Sequence, residues 1–326
     1  MRKYSIVIII ILILVSVFVS VYNTYKEVSL IAVGDILLDR GVRREIVDNG
    51  YDYPYLNVKR LLSGADITFG NLECPISDRG NPVFKRPDII FRAEKENASE
   101  LKKAGFDILN LANNHSMDYG STALMDTIEV LEKNNITPLG AGQNKASAHE
   151  PVFINKKGLR IGFLGYSIFP PEGYVSLDDK PDVSKTDMDT IVREINAAKQ
   201  QCDFLVVSFH WGTEYEFYAG ELQKQYAHTA VDSGADLILG HHPHVLQELE
   251  WFKDKLILYS LGNFIFDRQL QSGTDETAIA KIIIQDKKIK SVELIPIQIV
   301  NSQPKRADKE RSQLIFNRIQ IYKAEQ

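Results

Sequence analysis

Cysteine is almost missing from this chain: Cys74 and Cys202 are the only two among 326 residues. A disulfide framework is therefore not the source of its stability. Nothing in the sequence supports a bridge between them, and two free thiols packed as small apolar groups are expected. No repeat of fixed period runs through the chain, which excludes a solenoid or a propeller. Long low-complexity stretches are absent too. With 44% apolar and 25% charged residues, the composition is that of a folded globular protein rather than a disordered one. An excess of positive charge is also lacking. The formal net charge is −5, which argues against nucleic acid as a partner, because such binding is driven by phosphate neutralisation.

One long apolar run is present, from Ser5 to Tyr22, preceded by Arg2 and Lys3. At roughly 18 residues it stands near the lower limit for a membrane-spanning helix. A cleaved signal peptide has a shorter apolar region and a small-residue cleavage site. Here Tyr22-Asn23-Thr24-Tyr25-Lys26 follows, with no Ala-x-Ala and no cysteine to take a lipid. The reading adopted is an uncleaved anchor in residues 1–24. The positive-inside rule then gives a single pass, with the N-terminus cytoplasmic and the main domain outside the cell.

Beyond the anchor, short β-type runs each end in a polar turn. Ser29 to Val33 runs into Gly34-Asp35, Asp66 to Phe69 into Gly70-Asn71-Leu72-Glu73, and Phe106 to Leu111 into Ala112-Asn113-Asn114-His115. Phe204 to Ser208 leads to His210-Trp211-Gly212, Leu237 to Leu239 to Gly240-His241-His242-Pro243-His244, and Leu256 to Ser260 to Gly262-Asn263. Helical spacing of apolar residues marks Ser121 to Asn134, Thr186 to Gln200 and Glu221 to Ser233. Ser184 or Thr186 could cap the second, and Gly220 opens the third. Alternating strands and helices predict an α/β fold. In open α/β sheets ligands bind beyond the carboxyl ends of the strands. Ala278 to Gln285 and Ile289 to Ile299 read as a hairpin, and Arg311 to Tyr322 as a surface helix. One domain is expected over residues 28–300, followed by a charged tail at 301–326.

Five of the seven histidines stand at those strand ends; only His149 and His228 do not. His242-Pro243-His244 is the strongest local signal, because two imidazoles one residue apart can share a cavity. Histidine is the commonest transition-metal ligand at neutral pH. Taken singly, a His or Asn after a strand is more often structural, and Asp35 could cap a helix beginning near Ile36. Taken together, Asp35, Asn71, Glu73, Asn114, His210, His242 and His244 make a mixed N/O donor set. Such a set suits one or two Mn, Fe or Zn ions better than Ca or Mg. His115 could serve as a general acid beside it. Trp211 could wall the site or simply pack. Arg92, with Lys85 and Arg86, could hold a phosphate or carboxylate. Glu214 could contribute an oxygen or contact substrate, and Asn263 could support the site or form a turn.

The blocks Val33-Gly34-Asp35, Gly70-Asn71-Leu72-Glu73, Phe91-Arg92-Ala93, Ala112-Asn113-Asn114-His115, His210-Trp211-Gly212-Thr213-Glu214-Tyr215, Gly240-His241-His242-Pro243-His244 and Ser260-Leu261-Gly262-Asn263-Phe264 stand in order along roughly residues 28–270. In these the chain resembles the CapA (PgsA-like) family of poly-γ-glutamate capsule synthesis proteins, a branch of the calcineurin-like metallophosphoesterase superfamily. The resemblance implies two packed β-sheets flanked by helices. It implies metal ligation at Asp35, Asn114, His210, His242 and His244, with His115 as the acid. Leu37 stands where the superfamily's first motif has its second histidine, and Asn71 stands near its bridging aspartate. The implied role is synthesis or export of poly-γ-glutamate or another envelope polyanion, together with membrane-embedded synthase components. A metal-dependent phosphoesterase acting on an envelope substrate is the alternative, and a non-catalytic binding module a second one.

Overall fold

The computed structural model describes residues 27–267, 270–319 and 321–323. The anchor expected in residues 1–24 lies outside them. Among the described residues no helix is long and apolar enough to cross a membrane.

In chain order the first strands are β1 (Val28–Ile36), β2 (Ile67–Leu72), β3 (Ile108–Asn110), β4 (Thr137–Leu139), β5 (Ala141–Gly142), β6 (Val152–Lys156), β7 (Leu159–Ser167) and β8 (Asp182–Val183). They are followed by β9 (Phe204–His210), β10 (Leu237–His241), β11 (Leu249–Phe252), β12 (Lys255–Leu258), β13 (Asn263–Ile265), β14 (Glu276–Gln285), β15 (Lys288–Val300), β16 (Gln303–Arg306) and β17 (Ile321–Lys323). One sheet has the order β16-β15-β14-β1-β2-β3-β4, with β13 also paired to β1. A second has the order β17-β11-β12-β10-β9-β7-β6. The fold is thus a pair of mixed sheets flanked by helices.

Strand alternation decides the layers. Val28, Leu30 and Ala32 of β1 join Phe204 and Val206 of β9 and Leu237 and Leu239 of β10 in one apolar cluster between the sheets. Ile31 and Val33 point the other way, onto Val42 and Ile46 of helix Arg40–Asn49 and Leu101 of helix Glu96–Ala104. Leu205, Val207 and Ile238 likewise face Ile191, Ile195 and Ala227 of helices Met188–Lys199 and Glu221–Asp232. Strands such as β2, buried at every position, are apolar on both faces because each face meets a separate core.

The expected helices form, with different caps. Helix Met188–Lys199 is capped by Asp187, whose carboxylate accepts from Thr190 N, rather than by Ser184 or Thr186. Asp35 caps no helix: β1 runs through Ile36, and Asp39 accepts from Arg40 N at 2.7 Å to start the next one. The hairpin β14–β15 turns at Asp286 and Lys287, both left-handed. The tail packs on the sheets: β16 extends the first, and helix Lys309–Arg318 buries Ile315. Arg311 and Arg318 of that helix pair with buried Glu276.

Candidate metal centre

The parallel strands end in register, and register assembles the site. Asp35 lies opposite Asn71 and opposite Asn263; Asn71 lies opposite Asn110. In the second sheet His241 lies opposite His210. The carboxyl ends of both sheets therefore deliver their polar residues to one rim.

Asp35, Glu73 and His210 bring one donor atom each within 4.8 Å of one another, and so do Glu214, His242 and His244. The two groups adjoin. His244 Nδ1 is 3.4 Å from Asp35 Oδ2 and 3.9 Å from Glu73 Oε2, and the His210 and His242 rings are 4.7 Å apart. Asn114 turns its oxygen to His210 Nε2 at 2.9 Å, while its nitrogen donates to Glu172. That contact puts the His210 proton on Nε2 and leaves the Nδ1 lone pair 3.5 Å from Glu73 Oε1. Asn263 donates to Thr274 O, so its oxygen accepts from His244 Nδ1 at 2.9 Å.

The electrostatics call for a cation. Glu73 is buried, and its Oε2 has no hydrogen-bond partner. Burial, then the Asp35 charge, pushes its carboxyl well above the ordinary value. Burial works against the Asp35 charge as well, yet the His241 and His244 imidazoles hold that group well below the usual carboxylate range. For His244 burial is outweighed by the Glu73 and Asp35 carboxylates, which lift it to about 9. A proton on His244 thus balances Asp35, the carboxylate of the pair that is held in its ionised form. Burial, reinforced by the charge on His244, takes His242 down to about 3 and leaves its imidazole a neutral ligand. Carboxylate and imidazole donors with an orphaned carboxylate oxygen fit a divalent transition metal.

Asn71 does not offer its oxygen to this cluster. Its nitrogen donates to Asp35 at 2.9 Å and Glu73 at 3.2 Å, while its oxygen accepts from Asn110 and Asn113. It spaces the two carboxylates. Leu37 is wholly buried in the core beneath helix Arg40–Asn49. Trp211 is not brought to the site: it stacks on Phe209 at 4.5 Å in the outer core and donates to Tyr259 O. Arg92 lies over the Tyr119 ring at 4.0 Å, with no contact to the cluster. A surface cavity of about 950 Å³, lined by His149, Lys185 and Arg193, lies apart from the cluster and shares none of its residues.

His115 Nδ1 sits 3.1 Å from Asp118 Oδ2, and its ring lies 4.4 Å from that of Phe91. Lys85 reaches Asp118 at 2.5 Å and Glu172 at 3.5 Å. Burial holds the His115 imidazole below its ordinary value, with Asp118 opposing. Sequence reasoning missed His241, Asn110, Asn113, Asp118 and Glu172. His241 is wholly buried, with Nδ1 3.3 Å from Asp35 Oδ1 but neither ring nitrogen in a hydrogen bond.

A family profile described as "Bacterial capsule synthesis protein PGA_cap" matches residues 29–268. The chain belongs to this family of bacterial capsule synthesis proteins. It is 34% identical over 286 residues to the "Capsule biosynthesis protein CapA" of Bacillus anthracis, covering 86% of this chain and 69% of that protein. It is 34% identical over 285 residues to the "PGA biosynthesis protein CapA" of Bacillus subtilis (strain 168), covering 86% and 75%. Among solved structures, a hypothetical protein from Thermus thermophilus aligns with a TM-score of 0.50 at 13% identity, over 83% of this chain and 99% of that one. That likeness concerns the fold alone.

Proposed function

We propose that the chain is a membrane-anchored, extracytoplasmic CapA-type protein that acts in poly-γ-glutamate synthesis or export through a divalent metal centre of the metallophosphoesterase type. Membership of the capsule family supports the biological role. The observation that carries the metal centre is the buried Asp35–Glu73 pair, with Glu73 Oε2 unpartnered among His210, His242 and His244. Asp35, Glu73 and His210 would hold one ion, and Glu214, His242 and His244 a second, with Asn114 at the His210 side. Bound Mn, Fe or Zn would supply Lewis acidity and an activated water.

The chain's own residues supply the rest. Asp118 fixes the His115 ring, and burial makes its imidazolium a stronger acid than usual, so it can release a proton to a leaving nitrogen or oxygen. An amide-linked polyanion is the substrate class proposed. The apolar run before residue 24 supports an anchor, which would hold the site outside the membrane near synthase components. The test is metal analysis of the purified protein, alongside polymer production in cells complemented with His244→Ala. Loss of both metal and polymer is expected. A parent free of transition metal, with polymer made normally by the variant, would sink the proposal.

The His115–Asp118 pair beside Asn114 favours one second reading, a phosphoesterase acting on an envelope substrate. Manganese-dependent hydrolysis of a simple phosphodiester, abolished by His115→Asn, would select it.

A further inference from the structure

We propose that Arg40 is the receptor for a substrate carboxylate at the rim of this site. The assignment rests on the reading of the substrate as an amide-linked polyanion.

Arg40 is placed by two aromatic rings. Its guanidinium carbon lies 5.0 Å from the Phe91 ring centre and 5.3 Å from that of Phe266. Those rings in turn meet the two sides of the site: Phe91 lies 4.4 Å from the His115 ring, and Phe266 lies 5.1 Å from the His244 ring. The cation therefore sits beside the two rings that pack against the proposed acid and against a metal ligand. Phe91 and Phe266 are buried, while 30% of the Arg40 side chain remains exposed.

The guanidinium is held but not saturated. Its Nη2 pairs with Asp267, whose other oxygen accepts from Gly41 N at 3.2 Å. A side chain at Gly41 would put its Cβ 2.4 Å from that of Asp267, so the glycine is what lets the carboxylate seat there. Nε of Arg40 is enclosed and has no hydrogen-bond partner, so the exposed third of the side chain, its Nη end, is what a ligand would meet. Neighbouring cations are engaged: Lys85 by Asp118 and Glu172, Arg43 by Glu94, Arg86 by Asp88, and Arg92 over Tyr119.

The backbone adds an independent observation. Arg40 has φ 51°, in the left-handed region that favours glycine. Tyr215, His242 and His244 of the same site share that region, with φ of 68°, 97° and 60°, as do residues of plain turns elsewhere such as Asn135, Lys157 and Ser302. Backbone strain of this sort persists where the surroundings fix a functional geometry.

The ligand chemistry follows from charge. Asp267 already offsets the guanidinium, and the exposed carboxylate of Glu214 stands beside His242 and His244. A monoanion that needs one edge of the fork suits this field better than dianionic phosphate. Carboxylates borne along a γ-glutamyl chain meet that description.

The test uses the full chain in detergent, loaded with manganese. Its probes are a γ-linked glutamate pentamer, the same pentamer with its carboxylates amidated, and inorganic phosphate. Arg40→Gly relieves the left-handed backbone, so the variant should stay folded and keep its metal. Pentamer affinity should fall at least tenfold in Arg40→Gly and by less in Arg40→Lys, which keeps the charge but loses the fork. Affinity for the amidated pentamer should be unchanged. Equal pentamer affinity in parent and Arg40→Gly would overturn the assignment and leave the proposed function standing. Loss of metal from Arg40→Gly would make the residue a scaffold and also overturn it. A parent that ignores the pentamer but binds phosphate through Arg40 would overturn both the carboxylate and the polymer reading.

Discussion

Replacing Glu73 with Gln should change stability in opposite directions with and without metal. In the metal-free protein Glu73 is buried beside Asp35 and pushed well above its ordinary value of 4.5. A carboxyl raised in the folded state contributes stability that is fully present below 4.5 and is lost as pH rises through its folded value. The metal-free parent should therefore lose stability as pH rises from 5 towards neutrality, and Glu73→Gln should be spared that loss. Saturating metal reverses the order. An ion at about 100 times its Kd stabilises the folded state by about 2.7 kcal/mol. If loss of the Glu73 ligand weakens binding about a hundredfold, about 0.4 kcal/mol of that remains at the same concentration. For a domain of this size these figures correspond to melting shifts of roughly 5–10 °C in the parent and 1–2 °C in the variant. Calorimetry with chelator and then with manganese, at two pH values, gives all the numbers needed. An equal metal-induced shift in parent and variant would show that Glu73 is not a ligand. No shift in the parent with manganese, iron or zinc would refute the metal centre itself.

Lys85→Met should destabilise the fold by about 2–3 kcal/mol, because it takes the cation from Asp118, which is 0% exposed and keeps only the Phe91 N–H and His115 as partners. Lys85→Met combined with Asp118→Asn should recover much of that, and a single-variant cost below about 1 kcal/mol in denaturant melts would contradict the pairing. Gly34→Ala would set a Cβ 1.9 Å from Gly262 O, so β1 and β13 could not keep their pairing. It should cost about 3 kcal/mol or more, and an unchanged denaturation midpoint would rule out this close approach. Deleting residues 1–24 should move the protein from the membrane fraction to the soluble fraction. Retention in the membrane would contradict the anchor.

Much of the fold was legible because the parallel strands β1, β2, β3, β9 and β10 each run from apolar residues into a polar one at or beside their ends. Asp35, Glu73, Asn114, His210, His242 and His244 all stand at such ends, and register brings them together. What was not legible is long-range. Glu172 lies within the long loop after β7 rather than at the strand's end, and its link to Asn114 and Lys85 spans 58 and 87 residues. In sequence Arg40 looks like any surface arginine at a helix start, and its left-handed backbone, its Asp267 partner and the Phe91 and Phe266 rings distinguish it only in three dimensions. The cap of helix Met188–Lys199 is ambiguous in sequence because Ser184, Thr186 and Asp187 all have capping chemistry, and only the backbone selects Asp187.

Alternation alone corrects two expectations about the site. Along β9, Phe204 and Val206 face the inter-sheet core, while Leu205, Val207, Phe209 and Trp211 face the outer one. His210 falls in the first set, so Trp211, one residue on, must point away from whatever His210 touches. The same count along β10 carries Leu237 and Leu239 on to His241, which therefore shares the inner face with His210, its register partner. A period of two thus removes Trp211 from the site and adds His241 to it. His242 and His244 escape that count because the chain leaves the strand after His241 and both adopt left-handed backbones. The turn, and not the strand, aims the His-Pro-His segment back towards Asp35, where His242 N lies 3.3 Å from Oδ2.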